Sequence, residues 1–114
     1  MNPANYLKIK NKIPSNVNIL AVSKGFKSQE IKTIQNLGQV DFGESKFQEA
    51  FKKQLILKDL KKIKWHFIGR IQSNKVRKIV QNFEYIHSVD SFEKLQKISP
   101  VSYTHLTLQT TYHV

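Results

Sequence analysis

The sequence predicts an α/β fold in which four strand–helix units follow one another around a parallel sheet. Three observations predict it. Short aliphatic and aromatic runs recur at residues 17–23, 39–42, 64–68 and 85–89. Each is followed by a segment whose apolar residues return every three or four positions, the period of a helix with one buried side. Glycine, proline or a helix-capping residue separates the two kinds of segment. Such alternation argues for parallel strands joined by helical crossovers. Four units alone fit a small open sheet or half of an eight-unit barrel, and the periodicity does not separate them.

Residues 4–12 are expected to form a short leading helix with Tyr6, Ile9 and Ile13 on one side, broken by Pro14, Ser15 and Asn16. The first strand follows at 17–23. Ser28 reads as the N-cap of a helix carrying Ile31, Ile34 and Leu37, and Gly38 stops it. The second strand ends at Gly43-Glu44. Ser45, with Gln48 three residues on, has the form of a capping box. Phe47, Ala50, Phe51 and Leu55 are then the expected buried stripe of a helix running to Leu60. The third strand carries Trp65 and Phe67 and ends at Gly69-Arg70. Ser73 caps a helix with Val76, Ile79, Val80 and Phe83 inward. The fourth strand leads into a second capping box, Asp90 with Glu93, and a helix with Phe92, Leu95 and Ile98 inward.

With 114 residues the chain is one domain at most. It has no cysteine, which excludes disulfides, thiolate chemistry and zinc–thiolate sites. No stretch approaches the roughly 20 apolar residues of a membrane helix, and residues 1–8 lack the apolar core of a signal peptide. These features point to a cytoplasmic protein. The net charge of +11 invites a nucleic-acid reading. Against it, 17 of the 19 basic residues are lysine, and they scatter over several helices. A surface selected to read phosphates recruits arginine forks, so the charge reads as a solvated basic surface, with a nucleic-acid-binding module kept as an alternative.

Residues 100–114 differ sharply. They hold no Lys, Arg, Asp or Glu, but four Thr, two Tyr and two His. The break marks 100–114 as a non-native or disordered tail, and residues 101–108 resemble translated sequencing-adapter readthrough. Residues 1–99 form the expected domain.

Lys24 closes the run Asn18-Ile19-Leu20-Ala21-Val22-Ser23 and is followed at once by Gly25. The carboxyl end of a parallel strand is where α/β proteins keep their chemistry. An amine held there can act as a nucleophile toward a carbonyl. The plainer reading is a lysine that ends a strand and points to water. His66 and His87 read first as hydrogen-bonded core histidines, and no spacing supports a metal site. Asp90 and Glu93 look like caps before they look like acids. Residues 69–75 lack P-loop spacing, although the helix start at Ser73-Asn74-Lys75 offers N–H groups to an anion.

Taken together, Ala21-Val22-Ser23-Lys24, Phe42-Gly43-Glu44-Ser45, the block from Trp65-His66-Phe67-Ile68-Gly69 to Gln72-Ser73-Asn74-Lys75, and His87-Ser88-Val89-Asp90-Ser91 resemble the pyridoxal phosphate homeostasis proteins. These are relatives of the alanine racemase N-terminal barrel. The resemblance covers residues 4–99. It implies the first four βα units of a TIM (β/α)8 barrel, truncated, with pyridoxal 5'-phosphate (PLP) held as a Schiff base on Lys24. It also implies intracellular PLP homeostasis without established turnover, with PLP-dependent apo-enzymes as recipients. Ser45 and His66 are further cofactor-binding candidates. The family usually has Asn where Ser45 stands, and Ser is shorter and lacks the amide donor. The family's phosphate-gripping residues lie in its C-terminal half, beyond unit four. A half-barrel of this kind is expected to leave its first and fourth strands as open edges and to bind cofactor weakly. A racemase-like PLP enzyme is the other alternative, but the second base such chemistry needs has no candidate here.

Overall fold

The computed structural model describes residues 1–87 and the two-residue strand Tyr112–His113. The elements run α1 (Pro3–Lys12), β1 (Ile19–Val22), α2 (Ser28–Asn36), β2 (Asp41–Glu44), α3 (Phe47–Ile56), β3 (Lys64–Phe67), a 3-10 turn (Ser73–Lys75), α4 (Val76–Asn82), β4 (Tyr85–Ile86) and β5 (Tyr112–His113). The strands make one sheet in the order β4-β3-β2-β1-β5, and every pairing is parallel. Neighbours in sequence are neighbours in space from β1 to β4, as alternating strand–helix units require.

The register sorts the side chains into two faces, because successive strand residues point to opposite sides. Ala21, Phe42 and Trp65 lie in one row, and Glu44, Phe67 and Ile86 in the next row on that side. The helices close over this face. Tyr6 of α1, Ile31 and Ile34 of α2, Ala50 of α3, and Val76 and Ile79 of α4 join Ala21, Phe42, Trp65, Phe67 and Ile86 in one core. The other face carries the row Val22, Gly43, His66 and Tyr85. There, a Cβ on Gly43 would lie 3.2 Å from Ile68 and 3.3 Å from Leu20, so this side is closely packed around Gly43, while Val22 and Tyr85 are half-buried. A strand covered on both sides reads as a continuous apolar run, which is how β1 looked.

Three helix starts differ from expectation. α2 begins with Ser28 inside the helix and Lys27 at the cap position. Glu30 instead accepts the Lys27 amide at 3.2 Å. α3 begins at Phe47 with Lys46 at the cap, so Ser45 stands one residue too early and the Ser45–Gln48 box does not form. Ser73 opens a single 3-10 turn that leads into α4. α1 is as expected: Asn2 accepts the Asn5 amide at 3.2 Å, and Pro3 occupies the first turn, where its missing N–H costs nothing.

The inward stripe of α3 is also corrected. Ala50 is buried, but Phe51 is 38% and Leu55 55% exposed, and the buried residue beside Ala50 is Lys53. The reason lies beneath the helix. Glu44 is fully buried on that face of β2, and a buried carboxylate needs a cation, so α3 turns Lys53 toward it.

β5 pairs with β1 through Ile19–Tyr112 and Leu20–His113, so the β1 edge expected to be open is covered at these two residues. β4 ends the sheet order on the other side. Among the described residues, no helix is long and apolar enough to cross a membrane. Ser88 to Ser91, the Asp90–Glu93 box, the helix with Phe92, Leu95 and Ile98, and the tail apart from Tyr112 and His113 lie outside the described residues.

Candidate functional site

Lys24 lies two residues beyond β1, at the carboxyl end of the sheet, and is exposed. Strand alternation carries Leu20 and Val22 to the side opposite the helices, and Lys24 follows in the turn beyond the strand. Gly25 follows with φ of +80°, a left-handed turn that suits glycine and bends the chain sharply after Lys24. Among the described residues, no carboxylate lies within ion-pair distance of the Lys24 amine.

The residues on either side of Lys24 are firmly tied. The Ser23 amide donates to the Gly43 carbonyl at 2.9 Å, and its hydroxyl lies within hydrogen-bond reach of both the Gly43 carbonyl and Glu44 Oε2, with one proton to share between them. Lys53 Nζ reaches from α3 to the Ser23 carbonyl at 2.8 Å, to Glu44 at 2.9 and 3.0 Å, and to Glu49 Oε1 at 2.9 Å. The same Glu49 oxygen accepts the Gly25 amide at 2.6 Å. Burial pushes the Glu44 carboxyl above its ordinary range, outweighing the bonds from Ser23 and Lys53 that pull it down. Glu49 is shifted the other way, held low by Lys53 and by the Gly25 amide. The two lysines are therefore chemically distinct. Lys53 is surrounded by oxygen acceptors and serves structure, whereas Lys24 presents its amine to the open end of the sheet.

His66 sits beside Gly43 on the sheet face opposite the helices and is fully buried. Its Nε2 lies 2.8 Å from Asp41 Oδ1 and its Nδ1 2.7 Å from His87 Nε2. In the tautomer whose Nε2–H donates to Asp41, Nδ1 is left to accept from the His87 Nε2–H. Its ring stacks on Tyr85 with centroids 4.4 Å apart. Both ring nitrogens are committed within the protein.

The loops after β2 and β3 touch. Between them and the start of α4 opens a cleft of about 360 Å³, whose polar lining is Ser45, Lys46, Gln48, Arg70, Gln72 and Lys75. These groups are cationic or neutral, an electrostatic setting that suits an anion. Ser45 is half-buried on its wall.

No family model matches the chain. Over 100 residues it is 42% identical to the pyridoxal phosphate homeostasis protein of Synechocystis sp., covering 88% of this chain and 46% of that relative. The protein of the same description from Pseudomonas aeruginosa is 45% identical over 86 residues, 75% of this chain and 37% of its own length. This chain resembles the front half of the pyridoxal phosphate homeostasis proteins. It spans less than half the length of these curated relatives. Among solved structures, PipY of Synechococcus elongatus with PLP bound superposes with a TM-score of 0.79 at 26% identity, over 98% of this chain and 69% of that one. PipY without PLP gives 0.77 at 38% identity, over 88% of this chain and 48% of that one. Four parallel strands with helices on one side are thus the opening units of a TIM-barrel-like α/β fold.

In this chain the three residues singled out from sequence occupy different settings. Lys24 is at the carboxyl end of β1, Ser45 on the cleft wall after β2, and His66 inside the sheet face with its nitrogens satisfied. Sequence reasoning passed over Glu44, Glu49 and Lys53. One local signal was available: Glu49 and Lys53 stand four apart on a helix, with glutamate N-terminal to lysine. Nothing local pointed that pair inward, because the acid it serves lies on β2.

Proposed function

We propose that this chain binds pyridoxal 5'-phosphate, with Lys24 supplying the amine that captures the cofactor's aldehyde. It then takes part in PLP homeostasis in the cytoplasm, holding the cofactor and delivering it to PLP-dependent apo-enzymes. The observation that carries this reading is the amine of Lys24, without an ion-pair partner among the described residues, at the carboxyl end of β1 between two residues whose backbones are tied to β2 and α3. Likeness to PLP-bound PipY supports it.

The residues present fit such a ligand. PLP is an anionic aldehyde, and the strand ends offer the exposed amine of Lys24 and, after β2 and β3, a cleft lined by Lys46, Arg70 and Lys75. When bound, the cofactor supplies an electrophilic carbon and an electron-withdrawing ring. Lys24 provides the nucleophile. Ser45 offers a hydroxyl at the cleft wall, in the position where the family usually carries Asn. His66 has both ring nitrogens bonded within the protein, so its part would be to order the sheet face through Asp41 and His87. Turnover would need a second group placed to move a proton, and the described residues near Lys24 provide acceptors already tied to Lys53.

Borohydride reduction after mixing with PLP, followed by peptide mapping, tests this. The expected outcome is a fixed label on Lys24, with absorbance of the lysine-bound cofactor surviving gel filtration and lost in Lys24→Ala. Label on another lysine, or none, would overturn the reading.

A further inference from the structure

The buried charges beneath Lys24 have no part in capturing an aldehyde, yet they converge on its backbone. Lys53 donates to the carbonyl of Ser23, immediately before Lys24, at 2.8 Å. Glu49 accepts the amide of Gly25, immediately after it, at 2.6 Å. Lys53 and Glu49 bond each other at 2.9 Å, and Lys53 is anchored below by fully buried Glu44. The chain from Ser23 to Gly25 is therefore gripped at both ends by one helix, α3. Gly25 matters here because its φ of +80°, which suits glycine, turns the chain immediately after the amide that Glu49 holds.

We infer that Glu49 is a positioning residue for Lys24: with Lys53 it clamps the Ser23–Gly25 turn to α3 and so fixes the direction in which the Lys24 amine leaves the sheet. The inference rests on the cofactor reading and deepens it. A lysine has four side-chain rotors, and an amine finds an aldehyde in a fixed place only if its backbone root is itself fixed. The turn is also closed by the Phe26 amide, which donates to the Ser23 carbonyl at 3.0 Å, and α3 adds the Lys53 and Glu49 contacts on either side of exposed Lys24. Glu49 is 34% exposed, so its replacement leaves the core intact.

The test uses the whole 114-residue chain with two variants and two readouts. Glu49→Ala removes the acceptor, and Glu49→Gln keeps an oxygen for the Gly25 amide. Amide exchange by NMR reads the clamp directly. In Glu49→Ala the Gly25 amide should exchange at least ~10-fold faster than in wild type, and in Glu49→Gln it should stay close to wild type. Borohydride-fixed PLP labelling reads the consequence. The rate at Lys24 should fall about fivefold in Glu49→Ala and recover in Glu49→Gln, while labelling of surface lysines is unchanged. Unchanged Gly25 exchange in Glu49→Ala would overturn the clamp. Freed Gly25 with undiminished Lys24 labelling would overturn its positioning role. Failure of the cofactor reading looks different: the wild-type protein itself would leave Lys24 unlabelled, whatever the exchange rates.

Discussion

Gly69 and Ser45 meet so closely that a Cβ on Gly69 would fall 2.2 Å from the Ser45 carbonyl oxygen and 2.9 Å from its Cα. The obstacle is backbone, which has no rotamer to escape into. The contact joins the loop after β3 to the loop after β2 and sets one wall of the cationic cleft. Gly69→Ala must therefore push the loops apart. It should destabilise the protein by about 1–3 kcal/mol, the usual range for overpacking, measured as a lower urea midpoint with an unchanged slope. A midpoint equal to wild type would mean that the loops separate freely.

Lys53 is the one cation within reach of buried Glu44 among the described residues. Lys53→Met keeps most of the length of the side chain but leaves the carboxylate without a cation, held only by the Ser23 hydroxyl. Removing one member of a buried pair typically costs about 3–5 kcal/mol. Lys53→Met combined with Glu44→Leu should recover most of that loss, because no charge is then buried. Denaturant unfolding of both variants decides the matter. If the double variant is no more stable than the single, the pair does more than neutralise itself.

Acid should open the clamp from the Glu49 side. The carboxyl of Glu49 is held below its ordinary value of 4.5, chiefly by Lys53 and then by the Gly25 amide. A depressed folded pKa means stability that is present above the unfolded value and lost as pH falls through the folded one. Glu44 runs the opposite way. Burial raises its folded pKa, so its contribution is greatest below the unfolded value and declines as pH rises through the folded value. The Gly25 amide chemical shift, followed against pH, should titrate with a midpoint below 4.5. A midpoint above that value would place a different carboxylate on Gly25.

His66 holds Asp41 and His87 together from inside the sheet. His66→Phe keeps a ring against Tyr85 but removes both polar contacts. The loss is expected at about 1–3 kcal/mol, as for buried hydrogen-bonding groups left unmatched, with the lower part of the range favoured because Asp41 is 24% exposed and can turn to water. Thermal unfolding of the variant checks this. A gain in stability would show that the polar chain is a burden on the fold.

Much of the architecture was legible in the sequence. The apolar run before Lys24 and the helical spacing of Ile31 with Ile34, and of Val76 with Ile79, gave strands and helices in their observed order. The helix starts were less legible. Ser28 and Ser45 are good capping residues, but Lys27 and Lys46 hold the cap positions, and Glu30 and Glu49 turn to other amides. A cap preference is worth only about 1 kcal/mol, and tertiary demands exceed it. Lys53 shows this most directly: every local cue places a lysine in water, and a buried acid from another element draws it inward.

The amino-acid order alone determined the alternating α/β layout, the parallel sheet and the placement of Lys24 at a strand end, since periodicity and turn chemistry act over a few neighbouring residues. Only the tertiary structure decided which charges are buried and what grips the turn around Lys24. Those bonds join Ser23 and Gly25 to Glu44, Glu49 and Lys53, residues distant in the chain and adjacent only once α3 has packed on the sheet.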